Sequence, residues 1–133
     1  MKKILLFIFT LFSFSYFFGQ GNNLQFNQVL NFEYSTSFLT YSPTNVGTIT
    51  VPTDKVYKIV SGSATRRYNG VDHLNYIKIQ VGEHVVSGGE NNISLNNCPI
   101  WLGSGTYNVF ISPSYTTDNM QGALSIVEFN IVQ

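Results

Sequence analysis

The pattern of apolar and polar positions after residue 20 has a period of two. No window in this part of the chain carries apolar residues at helical spacing over three turns, whereas alternation recurs from end to end. A period of two predicts β-strands with one apolar face each. The predicted apolar faces include Leu24, Phe26, Leu30 and Phe32; Ile49 and Val51; and Ile77, Ile79 and Val81.

Turn-forming residues separate these segments at intervals typical of an all-β domain. Predicted turns lie at Pro52-Thr53-Asp54, Asn69-Gly70, Gly82-Glu83, Gly88-Gly89 and Gly103-Ser104-Gly105. About eight or nine short strands at such spacing are typical of a sandwich or barrel. We predict a single antiparallel β-sandwich with jelly-roll topology, because the Cys and Trp spacing of an immunoglobulin domain is missing.

Three phrases of the sequence carry a resemblance. They are VPTDKVYKI at 51–59, PIWLGSGTY at 99–107 and IVEFNIV at 126–132. Together they resemble small secreted bacterial jelly-roll-like β-sandwich domains, mostly uncharacterised, and the head domains of tail-fibre and collagen-like proteins. The resemblance implies a self-associating module and brings no catalytic residue with it.

The first twenty residues predict export. Lys2 and Lys3 precede an apolar run from Ile4 to Phe18, and small residues follow at Gly19 and Gly21. This order is that of a secretory signal peptide, and the run is shorter than the about 20 residues of a membrane span. Removing 1–20 from 133 residues leaves a β-sandwich domain at 21–133. We expect it to be secreted, periplasmic or displayed on the cell surface.

The charge of this domain disfavours nucleic acid as a partner. Without Lys2 and Lys3, five basic residues face seven acidic ones, a formal charge of −2. Nucleic-acid phosphates require a basic face.

Reactive chemistry has few candidates. The pairs Asp72-His73 and Glu83-His84 contain metal-ligand types, but the segment Leu74–Val81 separates them by roughly 25 Å if extended. No Gly-x-Ser-x-Gly motif occurs, and no pair of carboxylates is favoured for glycoside hydrolysis. We predict no enzyme, metal or cofactor, and a small hydrolase is the less favoured alternative.

Two residues of the segment 98–102 have two possible interpretations each. The single cysteine, Cys98, shares its strand face with Ile100 and Leu102, which favours a buried thiol over a reactive one. Trp101 alternates with the same residues, so a core position is favoured over an exposed carbohydrate platform.

The densest polar and aromatic cluster is Arg66-Arg67-Tyr68-Asn69-Gly70. Guanidinium groups hold carboxylates in bidentate fashion, although a simple surface loop ending in an Asn-Gly turn explains the same residues. With Tyr115, the residues Arg66, Arg67 and Tyr68 form the predicted contact surface. A carbohydrate-binding domain using exposed tyrosines among Tyr34, Tyr41, Tyr68 and Tyr115 is the alternative.

The last strand is apolar on both faces. Ala123, Val127, Phe129 and Ile131 alternate with Leu124 and Ile126. We expect Leu124 and Ile126 to lie on the outer side, covered either by the loop from Ser112 to Met120 or by a partner subunit. The overall prediction is a non-catalytic module for binding or self-assembly, as a homo-oligomer or on a surface glycan or protein.

Overall fold

The computed structural model describes residues 23–37, 42–73, 77–90, 93–113 and 119–132. Within these ranges the chain forms ten β-strands and no helix, which confirms the all-β prediction. The predicted signal peptide lies outside the described residues. The strands are β1 (Asn23–Thr36), β2 (Thr44–Val51), β3 (Lys55–Tyr68), β4 (Val71–His73), β5 (Ile77–Val81), β6 (His84–Glu90), β7 (Ile93–Asn96), β8 (Ile100–Leu102), β9 (Gly105–Pro113) and β10 (Asn119–Val132).

Two five-stranded antiparallel sheets form the sandwich. Sheet A has the order β1-β10-β3, and the far edge of β3 pairs with β8 near its start and with β4 at its end. Sheet B has the order β2-β9-β5-β6-β7. The chain passes from one sheet to the other between β1, β2 and β3, and again between β8, β9 and β10. The orders β1-β10-β3-β8 and β2-β9-β5-β6 are those of a jelly roll, as predicted.

The core lies between the sheets and is built almost entirely from aliphatic side chains. Sheet B contributes alternate residues of its strands, including Ile49, Val51, Ile77, Ile79 and Val81, as the period of two predicts. Sheet A contributes a matching set from β3, β8 and β10. Burial of these aliphatic side chains is the main stabilising contribution, about 1.5–3 kcal/mol for each large one.

Most predicted turns are confirmed. Pro52, Thr53 and Asp54 connect β2 to β3, with the Lys55 amide donating to the Pro52 carbonyl oxygen at 3.2 Å. Asn69 and Gly70 have positive φ angles of 51° and 76°, and join β3 to β4 as a two-residue hairpin loop. Positive φ at both positions is the reason that Asn-Gly occurs there.

The predicted turn at Gly88-Gly89 is wrong, because both glycines lie inside β6 and pair with β5 and β7. The backbones approach closely at this point. A Cβ atom on Gly88 would lie 2.7 Å from Cγ of Lys78 and 2.9 Å from the carbonyl oxygen of Ile77. Glycine marks a close approach of strands here rather than a reversal of the chain.

A β-bulge in β1 overturns the predicted face of that strand. The register with β10 shifts between Phe26 and Gln28, so Asn27 is an extra residue. Leu30 and Phe32 pack against the core, whereas Leu24 and Phe26 point away from it and are 44% and 60% exposed. One inserted residue exchanges the two faces of a strand, which is why residues of the same parity separate here.

The prediction for the faces of β10 is also wrong. Leu124 and Ile126 are 2% and 0% exposed and face the core. There the Leu124 side chain lies beside Gly62, together with Val86 from sheet B. The outer side of β10 carries Val127 and Phe129 instead. Both faces of the strand are apolar in sequence, so alternation alone could not distinguish the inner from the outer side.

Candidate functional site

The outer face of sheet A is the surface with unusual composition. Directly paired residues of an antiparallel sheet point to the same side, so the register defines this face row by row. From one end to the other, the rows are Leu24 and Ile131; Phe26, Phe129 and Val56; Val29, Val127, Lys58 and Trp101; Asn31, Ser125 and Ser61; Glu33, Ala123 and Ser63; and Ser35, Gln121 and Thr65. The first three rows are apolar apart from Lys58, and the others are polar or small.

We call the apolar end the apolar patch. Its members are Leu24, Phe26, Val29, Val56, Trp101, Val127, Phe129 and Ile131. Phe26 is 60% exposed, Val29 53% and Trp101 49%. Scattered apolar residues are normal on a protein surface, whereas a contiguous exposed apolar group is a candidate interaction surface.

Trp101 is exposed, which overturns the favoured core position. It lies on β8 between the inward-facing Ile100 and Leu102 and opposite Lys58 of β3. The Lys58 ammonium lies 5.0 Å from the indole centroid, and the Phe129 ring centroid is 5.6 Å away. These are cation–π and aromatic contacts, so the indole is held against the sheet with its other side open.

Beneath the patch, on the inner side of the sheet, lies the buried carboxylate of Glu128, which is 5% exposed. Asn27 and Gln28 of the bulge both donate to its Oε1, Gln28 at 3.3 Å. The Lys55 ammonium lies 3.4 Å from the same oxygen and also donates to Asn130. The carboxylate therefore holds the bulge that turns Leu24 and Phe26 outward.

The hydrogen bonds outweigh the burial of this carboxylate. Burial alone would raise the pKa of Glu128, but hydrogen bonds from Asn27, Tyr57 and Lys55, together with the Lys55 charge, hold that pKa below its ordinary value. Burial and the neighbouring carboxylate raise the pKa of Tyr57 to about 12. At neutral pH the group is therefore an ionised carboxylate that accepts from a neutral phenol.

The polar end of the outer face contains a groove with a volume of about 570 Å³. We call it the polar groove. Its outward side chains are Glu33 and Ser35 from β1, Gln121 and Ala123 from β10, and Ser63 and Thr65 from β3. A second depression of about 270 Å³ continues it towards Asn31, Ser61 and Ser125.

The predicted contact residues are only partly brought together. Arg66 and Arg67 are neighbours on β3, so they point to opposite sides of the sheet. Arg67 Nε donates to Asp72 Oδ1 at 2.8 Å, and its Nη2 donates to Oδ2 at 3.3 Å. This carboxylate occupies the fork of Arg67 and raises the pKa of its guanidinium. The Tyr68 side chain and Tyr115 lie outside the described part, so the predicted surface stays a prediction.

Among the tyrosines predicted to bind carbohydrate, Tyr34 is not an exposed stacking surface. It faces inward, stacks on Phe32 with centroids 6.5 Å apart, and its hydroxyl is buried without a hydrogen-bond partner. Burial raises its pKa. Tyr41 lies outside the described residues. The carbohydrate prediction therefore loses Tyr34 as a contact residue.

The residues with reactive side chains lie on different elements of the fold. Cys98 is partly buried against the core, as predicted, and burial raises the pKa of its thiol. His73 is in β4 of sheet A and His84 in β6 of sheet B. Across the described ranges, no group of three or more His, Cys, Asp or Glu residues is placed to hold a metal ion.

Sequence reasoning missed the polar groove and the Glu128 cluster. The groove had a signal, since Ser61, Ser63 and Thr65 alternate with Gly62 and Ala64, a strand with small side chains on both faces. Glu128 stood out as a carboxylate among apolar residues, but the Asn27 and Gln28 amides that donate to it are about 100 residues away in sequence.

No protein-family model, curated protein or solved structure matches this chain. The resemblance to secreted jelly-roll domains thus stays a prediction. In the part of the chain that the structure describes, no helix has the length and apolar character to cross a membrane.

Proposed function

We propose that this protein is an exported, non-catalytic binding module that assembles with further copies of itself through the apolar patch. The observation that carries the proposal is the apolar outer half of sheet A, with Phe26, Val29 and Trp101 each about half exposed or more. A water-exposed group of large apolar side chains favours association, since covering it releases about 25 cal/mol for each Å² removed from water.

The position of β1 supports a second copy as the occupant. Among the described strands, β1 lies at the edge of sheet A and pairs only with β10. Leu24, Phe26 and Val29 are on β1 itself, so the patch reaches this edge. An unpaired edge is a template for another strand. Edge pairing alone would leave the patches in water, so we propose that two copies pack the outer faces of sheet A on each other about a twofold axis, which covers both patches and the Trp101 indole.

Electrostatics support the same partner. The domain has a formal charge of −2 if residues 1–20 are removed, so two copies repel each other weakly. The one charged side chain within the patch rows, Lys58, is engaged with the Trp101 ring of its own chain. Export is supported by the basic, apolar and small-residue order of positions 1–21.

Light scattering coupled to size exclusion tests the proposal on the exported protein. At about 50 µM we expect a mass of two or more copies. Trp101 is the one tryptophan in the chain, and its fluorescence emission should shift to shorter wavelength as the protein concentration rises. The variant Phe26→Ser should dissociate at least tenfold more readily. Val71→Ser is the matched control, because Val71 is equally exposed at 56% but lies on β4, outside the patch.

A compact monomer at that concentration, with emission independent of dilution, would contradict the proposal. So would equal dissociation of the Phe26→Ser and Val71→Ser variants, because the loss would then not depend on the patch.

A further inference from the structure

We infer that the polar groove is a binding site for a neutral polysaccharide chain. This inference goes beyond self-association and does not depend on it, because the groove and the apolar patch occupy opposite ends of the outer face of sheet A. It also uses different residues from the tyrosines that the sequence suggested.

The side chains that line the polar groove have the chemistry to bind sugar hydroxyls. Glu33, Ser35, Ser63, Thr65 and Gln121 present one carboxylate, three hydroxyls and one amide to the groove. Within the described part of the chain, no hydrogen bond of these five side chains is formed with another protein group. Sugar hydroxyls both donate and accept, so this mixture of donors and acceptors complements them.

The charge of the groove favours a neutral ligand. Glu33 is the only charged residue that lines the groove, and at its far end Arg67 and Asp72 neutralise each other in a bidentate pair. A groove with this balance disfavours a polyanion, because Glu33 would repel it and no unengaged guanidinium of that pair attracts it. Polyphosphates and polyuronates are therefore poor ligands, whereas an uncharged polyhydroxyl chain meets no penalty.

The shape of the groove suits an extended chain. Small residues, Ala123 and Ser63, line the groove at the centre of the sheet, and Ser125 and Ser61 line the depression that continues it. Together with the depressions at its two ends, the groove extends from Ser125 to Asn119, roughly 20 Å along β10 at about 3.4 Å per residue. The volume of about 570 Å³ lies within the range of ligand-binding sites. The groove is thus longer than one sugar ring and open enough for a chain to lie along it.

Affinity electrophoresis of the exported protein tests the inference. The probes are soluble neutral polysaccharides (hydroxyethyl cellulose, xylan, galactomannan, β-glucan and dextran), with polygalacturonate as the charged comparison. We expect at least one neutral polymer to retard the protein and polygalacturonate not to do so. Calorimetry with a hexasaccharide of the retarding polymer then gives the dissociation constant for each variant.

Two groove variants act in different ways. Gln121→Ala removes an amide that faces the groove, and we expect binding to weaken about threefold to tenfold, as for one lost hydrogen bond. Ala123→Arg fills the floor, and we expect at least a tenfold loss. Asn108→Ala is the control, because Asn108 is an exposed amide on β9 of the other sheet. It should bind like the unmodified protein.

Retardation by none of the neutral polymers would overturn the inference, and so would retardation by polygalacturonate alone. Equal binding by the Ala123→Arg variant and the unmodified protein would overturn it as well, provided that the variant keeps the native circular dichroism spectrum. Phe26→Ser should leave polysaccharide binding intact. Failure of the groove and failure of the apolar patch are therefore distinguishable.

Discussion

Glu128 is the residue on which the local geometry of sheet A depends. It is buried, yet it is held in its charged form by Lys55 and by the amides of Asn27 and Gln28. Two of these partners belong to the bulge of β1. A carboxylate that accepts several hydrogen bonds stabilises the arrangement that supplies the donors. The side chain therefore links a buried polar cluster to the exposed face above it.

Glu128→Gln should lower the free energy of unfolding by about 2–3 kcal/mol at neutral pH, since hydrogen bonds to a charged group are lost. The folded-state pKa of Glu128 is below its ordinary value. Its contribution is therefore fully present above the ordinary carboxyl pKa and disappears as pH falls through the folded-state value.

Urea unfolding at pH 7 and at about pH 3 checks this, because the difference between the two proteins should shrink at the acid pH. Glu83→Gln, in the exposed turn after β5, is the control and should change stability by about 0.5 kcal/mol or less. A difference of equal size at both pH values would show that the charge of Glu128 is not responsible.

Gly62 tests the tightness of the core at a single position. A Cβ atom there would lie 2.6 Å from Cγ1 of Val86 and 3.0 Å from Cδ2 of Leu124. Val86 is β-branched and stiff, so Gly62→Ala should lower the free energy of unfolding by about 1–3 kcal/mol. Gly103→Ala is the matched control, because nothing lies within 4 Å of its added Cβ. Equal thermal midpoints for the two variants would contradict this packing.

At the scale of elements, β10 decides the architecture of sheet A. It is the strand that pairs with both β1 and β3, and it is apolar on both faces. The inner face, with Leu124 and Ile126, packs against sheet B. The outer face changes from Ala123 and Ser125 in the polar half to Val127 and Phe129 in the apolar half. One strand thereby contributes to the core, the groove and the patch.

The face assignment of β10 has a direct test by truncation. Leu124→Ala should cost about 2–5 kcal/mol of unfolding free energy, because it leaves a cavity between the sheets. Val127→Ala removes a side chain from the outer face and should cost about 1 kcal/mol or less. Denaturant unfolding of both variants measures the difference. A larger loss for Val127→Ala would reverse the inner and outer faces.

The faces of individual strands account for most of the differences between expectation and structure. Alternation correctly predicts the inward residues of β2 and β5, where each strand has one apolar face. It fails for β1, where the bulge at Asn27 changes the parity, and for β10, where both faces are apolar. Alternation also predicted a core position for Trp101, because Ile100 and Leu102 on either side of it are apolar. The face of β8 that carries Trp101 is open to solvent.

For the molecule as a whole, export is the property that the sequence predicts most directly. We expect protein collected outside the cytoplasm to begin near Gly21, as measured by mass spectrometry of its N-terminal peptide. Phe9→Asp places a charge in the apolar run and should leave the unprocessed chain inside the cell. Gln25→Glu, beyond the predicted cleavage region, should be processed normally. Recovery of full-length external protein starting at Met1 would contradict the prediction.

The same scale explains how two binding surfaces share one sheet. The outer face of sheet A has an apolar half, where we propose that another copy binds, and a polar half, where we propose that a neutral chain binds. The register of three strands places the two halves end to end.

Period-two alternation and turn chemistry are local properties that each segment carries alone, so the all-β class and most turns follow from the sequence. Folding in three dimensions decides how the strands pair into two sheets, which faces of β1 and β10 are buried, where Trp101 lies and which polar side chains share a groove. These features depend on pairing between residues far apart in the chain, such as Asn27 with Glu128. A bulge stabilised by such a distant partner changes every face beyond it, and no local pattern records that change.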